Sequence, residues 1–234
     1  MKVEIWSDVV CPWCYVGKRR FEAALASFEH RADVEVHWRS FELDPSAPAV
    51  REGDPVQRLA DKYGMTRAEA LAADARLTDL AAVEGLDFHL ETARSGNTFD
   101  AHRLLHLAAG KGVQDAVKER FMRAYFTESE PVGEHATLAR LAVDAGLDET
   151  DVNAVLTSDR YASDVRADEQ QAAAYGISGV PFFVIDARYG ISGAQSSDVI
   201  LATLRTAYAE ANPLTMVTAD VTVDDSCEGD ACAV

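Results

Sequence analysis

Between Cys14 and Cys227 the chain contains no cysteine, and the four it has are too few to staple a small secreted scaffold. Cations are scarce: 22 Lys and Arg stand against 39 Asp and Glu, a formal charge of −17. Nucleic acid and anionic membrane surfaces both need clustered cations, so neither is an expected partner. No apolar run reaches membrane-spanning length, and the opening MKVEIWSD shows no basic-then-apolar leader and no twin-arginine signal. The expectation is a soluble, cytoplasmic protein. Only 14 Gly and 7 Pro interrupt a sequence that is 48 % hydrophobic, enough core for one large domain or one domain with an insertion. Internal repeats and low-complexity segments are absent. Composition says nothing of oligomeric state.

What cysteine there is comes in pairs, Cys11-x-x-Cys14 and Cys227-x4-Cys232. Closely spaced cysteines in a cytosolic chain are more often redox-active or metal-binding than structural. The first pair has a telling context. Residues 2–7 read as a buried strand, and from Cys11 to Phe28 the apolar Val16, Phe21, Leu25 and Phe28 recur at helical spacing. Residues 33–41 alternate Val34, Val36 and Trp38 against polar neighbours, a second strand. The sum is a βαβ unit with a parallel pair and a right-handed crossover.

The following hundred residues carry no convincing strand. Asp54-Pro55 supplies an N-cap and first-turn proline, and TRAE (66–69) is a capping box opening a helix to about Glu84. Helical patterns follow over 98–110, 113–127, 134–145, 150–157 and 160–175. Strand character returns at 180–186, with a turn at ARYG (187–190) and a short strand at ISGA (191–194). Ser196 caps a last helix to about Ala211, which Asn212-Pro213 ends. The acidic tail carries Asp220, Asp224, Asp225, Glu228 and Asp230 and is expected to lack a fixed helix; MVTADVTV (216–223) also suits an edge strand.

A strand running into C-x-x-C and then a helix places Cys11 at the helix N-terminus. Free N–H groups and the helix dipole there favour a thiolate, the nucleophile of thiol–disulfide exchange. Cys14, one turn in, is placed to attack the resulting mixed disulfide. Pro12 suits the first turn, where no N–H is needed, and Trp13 offers a flat apolar surface beside the sulfurs. A zinc half-site and an inert core pair are the competing readings, and four thiolates suffice for one ion; such half-sites usually sit in loops rather than opening an amphipathic helix. GISGVPFFVID (176–186) adds a proline that opens a strand and suits a cis Val180–Pro181 bond. Such a bond would expose backbone groups beside the thiols, ready to hold a peptide or glutathione as an added strand. An ordinary edge-strand proline is the plainer alternative.

With SDVVCPWCYVGKRRFE, NTFDAHRLLHLA, GISGVPFFVID and ISGAQ in this order, the chain resembles the DsbA-family thioredoxin-fold proteins over residues 1 to about 210, most closely the FrnE-like branch. The resemblance implies an α/β thioredoxin fold interrupted by an all-helical insertion. Residues 1–45 and 176–211 would form the two thioredoxin halves, 46–175 the insertion with its last helix joining the thioredoxin half, and 212–234 the acidic tail. Carried over by position, Cys11 is the attacking thiol, Cys14 the resolving thiol and Pro181 the cis-proline. The implied activity is exchange or isomerisation of protein and peptide disulfides, with no metal and no organic cofactor, and glutathione as a candidate substrate. Some FrnE-like members carry a C-terminal C-x4-C, so Cys227 and Cys232 become an accessory redox candidate; shuttling, pinning the tail and zinc all stay open. The related 2-hydroxychromene-2-carboxylate isomerases and kappa-class transferases characteristically have serine where Cys11 stands. A glutathione-dependent isomerase or transferase is thus one alternative, and a non-catalytic zinc or peptide-binding module the other.

Weaker signals remain. Asn97 is a candidate for holding a bound peptide backbone, or else it or Thr98 caps the helix. His102 and His106 share a helical face, a spacing read as structural or surface rather than metal-binding. Ser196, in AQSSD, caps the last helix at a place where glutathione-using relatives hold the γ-glutamyl carboxylate. Lys18, Arg19 and Arg20 read as a solvated face giving weak support to a thiolate. Pro-Trp supplies no cation, so the Cys11 thiolate is expected to be less stabilised than in DsbA and the potential intermediate.

Overall fold

A computed structural model describes residues 1–214. The readings that fall on Cys227, Cys232, the acidic tail and MVTADVTV lie outside the described residues. Strands β1 (Lys2–Ser7), β2 (Glu35–Ser40), β3 (Phe182–Ile185) and β4 (Tyr189–Ser192) form one sheet in the order β2-β1-β3-β4. β1 runs parallel to β2, Val3 facing Val36 and Ile5 facing Trp38, and antiparallel to β3; β3 and β4 form a hairpin. The parallel pair is joined by α1 (Pro12–Ala26), and α9 (Ser197–Ala211) packs beside α1.

Alternation along the strands decides what each face meets. Val3, Ile5, Phe183 and Ile185 point to one side and pack with Phe21 and Phe28 near α1 and with Ile200 and Leu204 of α9. Trp6 and Val184 point to the other and meet Ala172 of α8 (Ala162–Ala174). There the Trp6 indole donates to the Asp168 carbonyl at 2.9 Å. The outer edge of β2 is spoken for: Gln114 accepts from the Trp38 N–H at 3.0 Å and donates to the Trp38 carbonyl at 2.9 Å, while Asp168 Oδ2 accepts from the Ser40 N–H at 2.9 Å.

Between β2 and β3 the chain is helical: α2 (Pro55–Tyr63), α3 (Arg67–Val83), α4 (Phe99–Gly110), α5 (Gln114–Phe126), α6 (His135–Asp144), α7 (Glu149–Leu156) and α8. Local sequence starts them as expected. Asp54 accepts from the Val56 N–H, Thr66 and Glu69 form the reciprocal capping box, and Ser196 accepts from the Val199 N–H. Side chains of α4 to α7, among them Leu104, Phe121, Leu138 and Val152, share one core with Cys11, Cys14, Tyr15 and Val16. α1 therefore belongs to two cores, its first turns to the helical block and its later turns to the sheet.

One boundary departs from the sequence reading. The hairpin turn sits at Asp186 and Ala187, both left-handed (φ 48° and 54°), with the Arg188 N–H on the Ile185 carbonyl at 3.0 Å. β4 therefore begins at Tyr189 instead of Ile191. The turn uses Asp and Ala where a glycine would be easier, and the Asp186 carboxylate secures it by accepting from the Lys2 N–H at 2.6 Å.

Candidate active site

Cys11 is the N-cap of α1, in extended conformation, and Pro12 occupies the first turn. The Cys14 N–H donates to the Cys11 carbonyl at 3.0 Å, which sets the two residues one turn apart. Both are free thiols; Cys11 is 4 % exposed and Cys14 fully buried, whereas the Trp13 ring between them stands 44 % exposed. The Val180–Pro181 bond is cis, as the sequence suggested. The Cys11 thiol donates to the Val180 carbonyl at 3.7 Å, so the proline loop and the Cys11 sulfur adjoin.

Gly17 makes that approach possible. A Cβ on it would lie 2.8 Å from Pro181 Cγ and 3.6 Å from the Ala194 methyl, so a side chain would push the loop off α1. Arg20 fastens the same region, donating to the Ala194 carbonyl at 2.6 Å and to Glu84 at 2.6 Å. Neither role was read from the sequence.

The electrostatics correct two expectations. The sequence placed Cys11 where a helix terminus favours a thiolate. In the structure the adjacent Cys14 sulfur, burial and the Asp8 carboxylate raise the Cys11 thiol well above its usual range, against the Cys14 N–H, which lowers it. Lys18 was read as solvated, yet its side chain is buried among Glu22, Asp115 at 3.2 Å and Glu119 at 3.0 Å. Burial lowers its pKa, and the carboxylates outweigh burial and raise it. Arg19 joins that network through Glu22 and Glu119.

Two further sequence candidates have the local capping duties that were read beside a substrate role for them. Asn97 accepts from the Phe99 N–H at 2.9 Å and donates to Glu42 and the Pro45 carbonyl, so its polar atoms are engaged within the chain. Ser196 is the α9 cap. His106 lies 3.1 Å from both Asp168 and Ser40, and His102 3.4 Å from Asp8, so the two histidines serve separate carboxylates. Among the described residues no group of three or more His, Cys, Asp or Glu is arranged to hold a metal ion, and no helix is long and apolar enough to cross a membrane.

Behind the thiols lies a group that the sequence reading missed. Lys118 of α5 is fully buried, with Nζ 3.2 Å from the Ser7 carbonyl and 5.2 Å from the centre of the Trp38 ring. Burial pushes it down to about 8, against the opposing pull of Cys14, Asp8 and Cys11. Asp8 is buried beside it, accepting from the Leu43 N–H at 2.8 Å; burial raises its carboxyl, but His102, the Leu43 N–H and Lys118 hold it below the ordinary value. A signal for Lys118 existed: it sits three and four residues before Phe121 and Met122, on the apolar stripe of its helix.

Residues 2–205 match the model of the DSBA-like thioredoxin domain. The chain is 30 % identical over 213 residues to the uncharacterized Bacillus subtilis protein YwbO, covering 84 % of this chain and 92 % of that one. The crystal structure of the probable DsbA oxidoreductase SCO1869 from Streptomyces coelicolor superposes with TM-score 0.87 at 47 % identity, over 100 % of this chain and 99 % of that one. The Pseudomonas aeruginosa cytosolic disulfide reductase DsbM, solved with GSH, shares the fold at TM-score 0.61 and 16 % identity, over 88 % and 98 % of the two chains.

Proposed function

The chain belongs to the DSBA-like thioredoxin domain family, and we propose that its Cys11–Cys14 pair catalyses thiol–disulfide exchange on protein or peptide disulfides in the cytoplasm. The observation that carries this reading is the position of Cys11: it caps α1, Cys14 lies one turn in, and the Val180 carbonyl stands 3.7 Å from its sulfur. In the reducing direction the Cys11 thiolate attacks one sulfur of the substrate disulfide. A mixed disulfide forms, and the first substrate thiolate leaves and takes a proton from water. Cys14 then attacks Cys11, closing the Cys11–Cys14 bond and releasing the second substrate thiol. Two glutathione molecules, or one dithiol, return the pair to its reduced form. The chemistry needs no other cofactor. The substrate backbone lies against Val180 and Pro181 as an added strand, and the exposed Trp13 face covers the sulfurs.

Reduction of insulin disulfides with glutathione or dithiothreitol tests this. Cys11→Ser should fall to background, while Cys14→Ser should accumulate mixed disulfides visible in the intact mass. Wild-type turnover by Cys11→Ser would end the proposal. A glutathione-requiring conversion of a chromene, undiminished in Cys14→Ser, would select the isomerase chemistry instead.

A further inference from the structure

Arg20 joins three segments that are far apart in the sequence. It stands on α1, one turn after Gly17 and on the same face. Its Nη1 donates to the Ala194 carbonyl at 2.6 Å, and its Nε donates to Glu84 at 2.6 Å. Ala194 follows β4, and Glu84 closes α3 in the helical block. The Arg20 and Glu84 side chains are each 21 % exposed, so solvent screens the pair only in part.

The turn at Ala194 holds the proline loop. The Gly193 N–H donates to the Pro181 carbonyl at 2.8 Å, with Gly193 left-handed at φ 77°. The Gln195 N–H closes the turn on the Gly193 carbonyl at 2.9 Å. Pro181 is thus gripped from two sides, its carbonyl by Gly193 and its ring by the bare face of Gly17. The neighbouring Val180 carbonyl is the one at the Cys11 sulfur. A path of direct contacts runs from Arg20 through Ala194, Gly193 and Pro181 to the thiol. Glu84 stands where its own helix does not favour it. The last turn of α3 holds no basic residue, and a helix C-terminus disfavours a carboxylate. Arg20 offsets that charge. Its planar fork serves two acceptors on different elements in one fixed geometry, which a lysine ammonium on a flexible stem does not.

We propose that Arg20 is a positioning residue for substrate binding: it fixes the Val180–Pro181 edge beside Cys11, and Glu84 ties that edge to the helical block. This rests on the exchange reading above. Arg20 stays clear of the reacting atoms, because the Cys11–Cys14 spacing is set in the first turn of α1, about two turns earlier. Losing it leaves the thiols in place and loosens the loop. An edge that is already ordered need not be ordered by its substrate, so a looser edge captures an extended chain more weakly. A small disulfide that does not reach along the edge is indifferent to the change.

The test compares insulin, an extended substrate, with a chromogenic aryl disulfide, a short one, in full-length protein with Cys227 and Cys232 replaced by serine. Arg20→Met should raise the KM for insulin at least fivefold and keep kcat within twofold, the mark of lost binding rather than lost chemistry. Release of the coloured thiolate should stay within twofold. Arg20→Lys keeps the charge without the fork; it should resemble Arg20→Met, and it decides the matter if that variant fails to fold. Glu84→Gln should raise the insulin KM about threefold and add nothing in the Arg20→Met background. Amide hydrogen exchange gives a readout without turnover: the Gly193 N–H should exchange at least tenfold faster in both Arg20 variants. An insulin KM within twofold of the parent in those variants overturns the proposal, and so does an unchanged Gly193 amide. Insulin and aryl disulfide rates that fall together overturn it as well, since the damage would then lie in α1. A Glu84→Gln effect that persists in Arg20→Met breaks the tie to the helical block. Insulin turnover unaffected by Cys11→Ser would instead overturn the exchange reading itself, while the Gly193 amide still reports on the Arg20 contact.

Discussion

Lys18 and Lys118 are both hidden from water, but they are hidden in opposite company. Lys18, on the outer side of α1, ends among Glu22, Asp115 and Glu119, three carboxylates that each keep contact with solvent. Among the described residues, Lys118, behind the start of the same helix, has Asp8 as the carboxylate whose charge acts on it, along with two thiols and an aromatic ring. Burial penalises both ammonium groups. Three carboxylates outweigh the penalty and one does not, so one pKa rises and the other falls. The first lysine is a structural rivet, and the second can exchange its proton at working pH.

The largest effect should come from removing the lone carboxylate. Asp8→Ala leaves the Lys118 charge buried and uncompensated, a change that typically costs about 3–5 kcal/mol, readable in urea denaturation. Glu119→Gln should cost only about 1 kcal/mol, because Glu22 and Asp115 still hold Lys18. Equal losses would break the comparison. Next comes the pH dependence of stability. Between pH 8 and 10.5 the unfolded chain holds a proton on residue 118 that the folded protein lacks. Stability should therefore climb through that window by up to about 3 kcal/mol, and Lys118→Met should remove the climb. Lys18 works with the other sign: its contribution is complete below 10.5 and falls as pH rises beyond it, so Lys18→Met should flatten only the alkaline decline. Melting temperatures in a pH series separate the two. Gly17→Ala should lower exchange about tenfold, or ~1.4 kcal/mol, by moving the Pro181 loop. Stability should stay within about 1 kcal/mol, since alanine favours the helix. A parallel fall in both would mean the variant damages α1 rather than the loop. The smallest effect is Ser196→Ala, about 1 kcal/mol for a lost cap with the thiol chemistry intact.

The parts legible in the sequence are those whose signals are local. Asp54-Pro55, the Thr66–Glu69 box and Ser196 each satisfy backbone groups within three residues, and the structure uses all three. CPWC after a strand and the proline of GVPFF carry their context with them. The fates of Lys18 and Lys118 were not legible because the partners that decide them lie about 100 to 110 residues away. Lys-Arg-Arg looks solvated until α5 brings Asp115 and Glu119 over it. The Cys11 thiol departs from expectation because the Cys14 sulfur, then burial and Asp8, outweigh what the helix terminus offers a thiolate. The hairpin start was misplaced because Asp186 and Ala187, rather than Gly190, take the left-handed positions.

The stitching of Trp38 and Ser40 by Gln114 and Asp168 has a consequence for crowded solutions. An exposed sheet border invites strands from other molecules, the first step toward stacked aggregates. Here two side chains from the helical block occupy the outward-facing amides in the middle and at the end of that border. Foreign strands, whether from an unfolded chain or from a second copy, are turned away from β2.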